Sequence, residues 1–365
     1  MADHESVLVV GAGPVGLAAA LALSRSGYLV RIVDSAAEGA RESRAVVVNQ
    51  RSLDLLDHLG VSADLIATGV KLNGVRLVSG GSTVGTVDMR FLPHAFNFLL
   101  ALPQSETEAI LAEHLALEGM RVERETALTE IYQDASRVHT VTVHGQDRRE
   151  ASYDWVLGCD GAHSFVRKAL DLDFPGGAYP FQWSLVDLDI DAGASMEWGE
   201  VHLDPGRPVL LRFPIAPHRH RLISNGPDVL DRVPDSWSIG TLHWSSDFTV
   251  SHRHVTAQGK GRVWLAGDAA HIHSPAGGRG MNLGIEDAVT FARFLRKDRL
   301  EEWAKWRLRK GETVLKESDR LQNLATADQS LVRRFGPRVF GLALKIPAVQ
   351  RAFITRNAGL FDLKP

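Results

Sequence analysis

Ser6-Val-Leu-Val-Val10 is a short β-branched run without polar alternation, the pattern of a parallel strand covered on both faces. It stops at Gly11. The alanine-rich apolar segment from Pro14 to Arg25 predicts a buried helix, with proline tolerated in the first turn because its missing N–H would have no partner there. Gly27 ends that helix, and Leu29 to Val33 is a second apolar strand closed by Asp34, so residues 6–34 read as one βαβ unit. Residues 45–59, with Leu53, Leu56 and Leu59 at helical spacing before Gly60, predict a helix. Residues 104–118 predict another, ending at Gly119. Between them, Val75 to Met89 fits a hairpin of a second sheet.

Farther along, Val138-His-Thr-Val-Thr-Val143 alternates as a strand does, and Trp155-Val-Leu157 leads into Cys159-Asp160-Gly161. Strand-like pieces follow at 183–190, 197–203, 208–213 and 219–224. Arg262-Val-Trp-Leu-Ala266 returns to the buried-strand style of the opening, a helical pattern starts near Met281, and after residue 300 the chain is helical and heavily charged. The expected architecture is α/β and α+β. A discontinuous Rossmann-like domain takes residues 1–72, 96–172 and 256–325. An inserted β-sheet domain takes 73–95 and 173–255, and C-terminal helices take 326–365.

The length of 365 residues suits two or three domains, or one interleaved unit, at about 150 residues each. With 44% hydrophobic and 23% charged residues the chain is neither disordered nor fibrous. Its 41 Lys plus Arg against 44 Asp plus Glu give a net charge of −3, which offers nucleic acid no electrostatic footprint. Cys159 is the single cysteine, which excludes an internal disulfide and reads as a reducing, cytoplasmic setting. The N-terminus lacks the basic flank of a secretion signal, and the apolar run Val15 to Leu23 is shorter than the roughly 20 residues that span a bilayer.

Gly11-Ala-Gly13-Pro-Val-Gly16 lies between a predicted strand and a predicted helix, the context in which G-x-G-x-x-G signals a dinucleotide. Gly11 permits the tight turn, Gly13 lets backbone approach a pyrophosphate at the helix N-terminus, and Gly16 allows close helix–strand packing. Asp34, 23 residues beyond Gly11, can accept the hydroxyls of an adenosine ribose. This motif alone fits NAD and FAD equally.

Two further segments separate them. Cys159-Asp160-Gly161-Ala-His-Ser164-Phe-Val-Arg167 and Gly267-Asp268-Ala-Ala-His271-Ile-His-Ser-Pro275-Ala-Gly277-Gly278-Arg279-Gly280-Met281-Asn282 resemble fingerprints of the class A FAD-dependent aromatic hydroxylases, the para-hydroxybenzoate and phenol hydroxylase-like flavoprotein monooxygenases. Arg44-Ala and Leu102-Pro-Gln104-Ser-Glu106 extend the resemblance, which covers residues 5–295. It implies an oxidoreductase that uses NAD(P)H as co-substrate and O2 to hydroxylate an aromatic molecule, phenol-like or polycyclic, through a flavin C4a-hydroperoxide. It also implies that Gly11, Gly13, Pro14, Val15 and Gly16 cradle the diphosphate of FAD and Asp34 the adenosine ribose. Arg44 and Gln104 would touch the phosphates or ribityl region, Leu128 the adenine, and Asp160 the diphosphate side. Gly267 and Asp268 would hold the ribityl chain, Pro275 would wall the ring, and Gly278, Gly280, Met281 and Asn282 would line it. Arg279 stands where many relatives have glutamine.

The residues support part of this directly. Asp268 follows a strand that joins the first sheet, so its carboxylate emerges at the ligand-binding edge. A helix starting near Gly280 points free N–H groups and partial positive charge at what approaches it, which suits the anion of a reduced flavin. No catalytic residue is assigned; His273, Pro275 and Arg279 are the candidates. An alternative is a flavin-binding redox sensor or scaffold without turnover, and others are a reductase or halogenase on the same scaffold, although no Trp-x-Trp-x-x-Pro is present.

Other signals carry less. His271-x-His273, His252-x-His254 and His218-x-His220 have zinc-compatible spacing but no nearby Cys or Glu to complete a set, so no metal is expected; His271 and His273 stay candidates for proton transfer. Trp183, Trp198, Trp237 and Trp244 read as packing before they read as an aromatic pocket. Arg212 and Arg221 read as solvated strand arginines. The basic, partly apolar stretch 333–345 reads as packing on the flavin domain rather than touching a membrane.

Overall fold

A five-stranded sheet runs in the order Gly259–Lys260, Val263–Leu265, Trp155–Gly158, Ser6–Val10, Leu29–Val33, and its last four strands are parallel. The chain is described by a computed structural model over residues 5–39, 45–275, 277–326 and 330–363, with no side chain described between 324 and 334. The strand Ser6–Val10 has all but its first residue buried, because it pairs on both edges and is covered on both faces. One face carries the helices Pro14–Arg25, Gln104–Leu117 and Gly280–Leu295, which join Val7, Val9 and Leu157 in one apolar cluster. The other carries the antiparallel sheet Thr126–Gln133, Val138–His144, Asp147–Tyr153, packed on Leu8, Val10 and Val156. This is the Rossmann-like unit, and its strand order reverses at Ser6–Val10. A ligand crevice opens at such a reversal.

An eight-stranded sheet forms the second body. Its order is His271–Ile272, Ser238–His254, Gly176–Ala192, Arg219–Ser224, Leu210–Ala216, Trp198–His202, Gly74–Ser79, Ser82–Asp88. The early hairpin joins through parallel pairing of Gly74–Ser79 with Trp198–His202, while the short strand His271–Ile272 stitches the far edge to the loop after Asp268. The two bodies therefore share the chain between them. Helices Leu300–Thr326, Ser330–Ala343 and Pro347–Asn357 complete the fold.

Two local expectations change. The helix expected over 45–59 is instead a two-residue strand, Val47–Val48, paired with Leu99–Ala101, then a helix Gln50–Asp57. Asn49 sets the boundary: its backbone is extended and its side chain accepts from Ser52 N at 2.9 Å, an N-cap that starts the helix there. The strand Ser238–His254 was not legible either, because its first half is exposed and lacks the alternation of a half-buried strand.

Candidate functional site

The crevice at the strand reversal is one wall of a cavity of about 1110 Å³ that continues under the eight-stranded sheet. Gly13, Pro14 and Val15 form the first wall, with Cys159 and Gly161 beside them and Asp268 opposite. The floor runs from His273 to Pro275 and from Gly277 to Met281. Trp183, Phe213, Ile223, Trp244 and Phe248 project from the sheet to make an apolar roof, and Pro337, Phe340 and Phe353 of the C-terminal helices close one side.

The glycine loop is built by close approach. Gly11 has φ +99°, and a Cβ there would lie 2.4 Å from Cys159 O; one on Gly16 would lie 1.9 Å from Gly11 O. Neither tolerates a side chain. Gly13 differs: nothing lies within 4 Å of its would-be Cβ, so backbone is bared to the cavity. Asp34 holds this loop, accepting from Ala12 N at 2.6 Å and Ala36 N at 2.8 Å.

Two helices point their N-termini into the cavity, Pro14–Arg25 and Gly280–Leu295. Neither has a side-chain cap or an acidic residue in its first turn. Their N–H groups and dipoles are therefore available to an anion at both ends of the crevice. A dinucleotide whose phosphates and ring oxygens are anionic or electron-rich fits this donor set, and the bared backbone at Gly13 fits a diphosphate. A flavin adenine dinucleotide would be held by these residues.

The loop between them is fixed from behind. Asp287, fully buried, accepts from Gly267 N at 3.0 Å, His271 Nε2 at 2.6 Å and Arg307 Nε at 2.5 Å. Burial raises its pKa, but the Arg307 and His271 charges outweigh that and hold it at about 2. Next to it Glu286 takes Arg51, Arg307 and Lys310, each at 2.9 Å. Gly267 and Gly284 then let the loop and helix close over Val15, since a Cβ at Gly284 would sit 2.5 Å from Val15 Cγ2.

The remaining expected residues divide. Gln104, Pro275, Gly278, Gly280 and Met281 line the cavity, and Arg44 lies outside the described residues. Asp160 does not line the cavity: its carboxylate accepts from Ser164 Oγ at 2.5 Å and Val166 N at 3.0 Å, bracing the start of the short helix Phe165–Ala169 that Ser164 caps. Asn282 bridges backbone, donating to Val47 O and Gly278 O and accepting from Asn49 N at 2.9 Å. Leu128 is buried with Leu8, Val10 and Val33 behind the sheet. Arg279, a catalytic candidate, is buried and committed to Glu317 at 2.5 Å and to the Arg356 carbonyl, so it ties the loop to the C-terminal helices.

The discounted residues also find places. Arg212 and Arg221 are not solvated; both are buried, Arg212 pairing with Glu200 at 2.9 Å and Arg221 with both oxygens of Asp187 at 2.7 Å. Their strands face the protein interior, where an arginine needs such a partner. Trp183 and Trp244 line the cavity, whereas Trp198 packs under Arg76 and Trp237 against His202. Cys159 sits at the wall, and burial with the Asp160 charge pushes its thiol pKa well up, which makes it inert. Among the described residues, no three or more His, Cys, Asp or Glu are grouped to hold a metal ion.

His273 is a buried polar group in the cavity floor. Its Nδ1 lies 3.3 Å from Ser274 O, and a carbonyl only accepts, so Nδ1 bears the proton and Nε2 presents a lone pair. That Nε2 is buried without a protein partner, and the residue lines the cavity. Burial and then the neighbouring His271 lower its pKa to about 3, so it stays neutral and accepts hydrogen bonds without storing a proton.

The chain is similar to known proteins along most of its length. The family model described as FAD binding domain matches residues 4–208 and 231–310. A 6-methylpretetramide 4-monooxygenase of Streptomyces rimosus is 34% identical over 315 residues, covering 80% of this chain and 55% of that protein. A pentachlorophenol 4-monooxygenase of Sphingobium chlorophenolicum is 30% identical over 303 residues, covering 78% and 56%. The chain thus spans a little over half the length of these relatives. The structure of p-nitrophenol 4-monooxygenase from Pseudomonas putida DLL-E4 shares the fold, with a TM-score of 0.86, 24% identity, and coverage of 97% of this chain and 98% of that one.

The depressed His273 pKa makes a prediction. Unfolded, the imidazole protonates near its ordinary 6.5; folded, only near 3, so the unfolded state binds more protons between these values and stability falls as pH drops through them. His273→Gln should flatten the stability slope between these pH limits by up to about 1.4 kcal/mol per pH unit, read from urea unfolding at a series of pH values. An unchanged slope would show that the imidazole titrates freely in the fold.

Proposed function

The chain belongs to the FAD binding domain family of class A FAD-dependent aromatic hydroxylases, and on that premise we propose that it is a monooxygenase hydroxylating an aromatic small molecule with NAD(P)H and O2. The observation that carries this reading is the cavity of about 1110 Å³, in which two uncapped helix N-termini face an aromatic and aliphatic roof. One side suits an anionic coenzyme and the other a flat apolar substrate. The names of the relatives support an aromatic substrate, since those proteins are described as monooxygenases of a pretetramide and of pentachlorophenol.

FAD, when bound, supplies hydride acceptance from NAD(P)H and oxygen transfer to the ring. This chain's residues supply the setting. Gly13 and Val15 would hold the diphosphate on backbone N–H groups, with Pro14 shaping the turn, Asp34 would take the adenosine ribose, and Asp268 the ribityl hydroxyls. The N–H groups of Gly280 to Asn282 would stabilise negative charge on a bound flavin, and Pro275 would wall it. Trp183, Phe213, Trp244 and Phe248 exclude water and orient the substrate by stacking and shape. His273 Nε2 accepts one hydrogen bond from a bound hydroxyl or N–H. Neutral at working pH, it fixes orientation and leaves proton removal to solvent or to the substrate's own acidity.

The direct test is oxidation of NADH or NADPH by the purified, FAD-loaded protein. Added phenols should accelerate it and gain one oxygen atom by mass spectrometry; a bound flavin that neither nucleotide reduces would overturn the assignment in favour of a sensor or scaffold. The site residues are tested separately. Asp268→Ala should lose FAD on desalting while Cys159→Ala retains it, followed by visible flavin absorbance per protein; equal retention would remove Asp268 from the ribityl contact.

A further inference from the structure

The last two helices combine three features that the monooxygenase reading does not use. Residues 330–361 contain six cations, Arg333, Arg334, Arg338, Lys345, Arg351 and Arg356, and no Asp or Glu, in a chain whose net charge is −3. The segment is the basic end of an acidic protein. Its helices Ser330–Ala343 and Pro347–Asn357 pack inward through Gly341, whose Cβ would meet Val84 O at 1.9 Å, and through Leu344 and Ile354. Gln350 also donates to Thr86 O at 2.8 Å. Inward packing is thus real, but chiefly on the hairpin strands Gly74–Ser79 and Ser82–Asp88 of the second sheet rather than on the flavin domain as expected, and it occupies one face only.

The opposite face is apolar and open. Phe335, Val339, Leu342, Ile346 and Val349 recur at alternating spacings of four and three, and each is 39–63% exposed. The first three share a face of the helix Ser330–Ala343, and Ile346 and Val349 follow across the turn into Pro347–Asn357. Lys345 and Arg351, both exposed, flank this run. Isolated exposed apolar residues need no explanation, but a continuous stripe edged by cations marks an interface. The stripe also reaches the substrate cavity, which Pro337, Val339 and Phe340 help to line.

The charge selects the occupant. A second copy presenting the same face would set Lys345 and Arg351 against their own counterparts, which opposes self-association there. An anionic lipid surface attracts each Lys and Arg and accepts the apolar stripe at the acyl boundary, as it does for basic amphipathic helices that lie in the interface. No helix among the described residues is long and apolar enough to cross a membrane. We propose that the C-terminal helix pair docks this protein peripherally on an anionic lipid bilayer. An apolar aromatic dissolved in that bilayer would then meet the cavity beside Val339; that consequence rests on the proposed function, whereas docking is measured without turnover.

Co-sedimentation of the full chain with extruded vesicles tests docking. The protein should pellet with vesicles containing phosphatidylglycerol, remain in solution with pure phosphatidylcholine, and be released by salt. Leu342→Glu with Ile346→Glu should lower the partition coefficient at least about tenfold. Lys345→Gln with Arg351→Gln should lower it about fivefold for each charge removed, with the thermal unfolding midpoint unchanged in both pairs. Equal pelleting with the two vesicle types, or wild-type pelleting by the charge pair, would overturn the proposal. So would a dimer seen by analytical ultracentrifugation that Leu342→Glu with Ile346→Glu dissolves, because the stripe would then belong to a second copy.

Discussion

Asp287 is the constraint on which the site depends. One buried carboxylate receives the Gly267 amide, the His271 ring and the Arg307 guanidinium, and so joins the loop after the last parallel strand, the helix that follows it, and the long helix behind both. Burying that charge is costly, and it is tolerated because Arg307 pairs with both Asp287 and Glu286, and Glu286 in turn with Lys310 and Arg51, in an extended network of opposite charges. Removing a single partner would strand a charge in the interior. The network therefore behaves as a rigid frame, and the loop from 267 to 280 hangs from it.

That frame positions chemistry that lies outside it. Asp268 is exposed to the cavity because Gly267 is turned, with φ +63°, and fastened to Asp287. The helix Gly280–Leu295 directs its free N–H groups at the same space because Asn282 ties its first turn to Val47 and Asn49. Close approaches then lock this half to the opening glycine loop, about 250 residues earlier, where Val15 nests on Gly267 and Gly284. Arg279 extends the frame outward to Glu317 and the last helix, so the C-terminal helices are fastened to the loop they cover.

Much of this was legible in the sequence where the signal was local. The βαβ opening, the glycine loop and the turn at Asp268 each consist of adjacent residues whose backbone demands are written in their types, and the structure places them on one cavity. What escaped depended on distant partners. Arg212 and Arg221 looked solvated because nothing nearby in the chain announces Glu200 or Asp187 as their mates across the sheet. Asp160 sits in a motif, yet its carboxylate is used locally by Ser164 and Val166, and the strand Val47–Val48 is too short to show a period. Asp287 lies beyond the fingerprint that ends at Asn282 and carries no local signal of its own. Its role follows from Gly267, His271 and Arg307 meeting it in space.

The same logic explains why the roof is apolar and the floor polar. The floor is made of backbone and turn, held by hydrogen bonds, while the roof is made of alternate side chains of a sheet whose other face packs on its own core. The floor keeps its place because the frame holds it. That support is tested most directly by the FAD affinity of Asp287→Asn, measured from quenching of flavin fluorescence as apoprotein is added. The frame predicts binding weaker by about tenfold or more than wild type with unchanged far-ultraviolet circular dichroism. Equal affinity in the folded variant would contradict it.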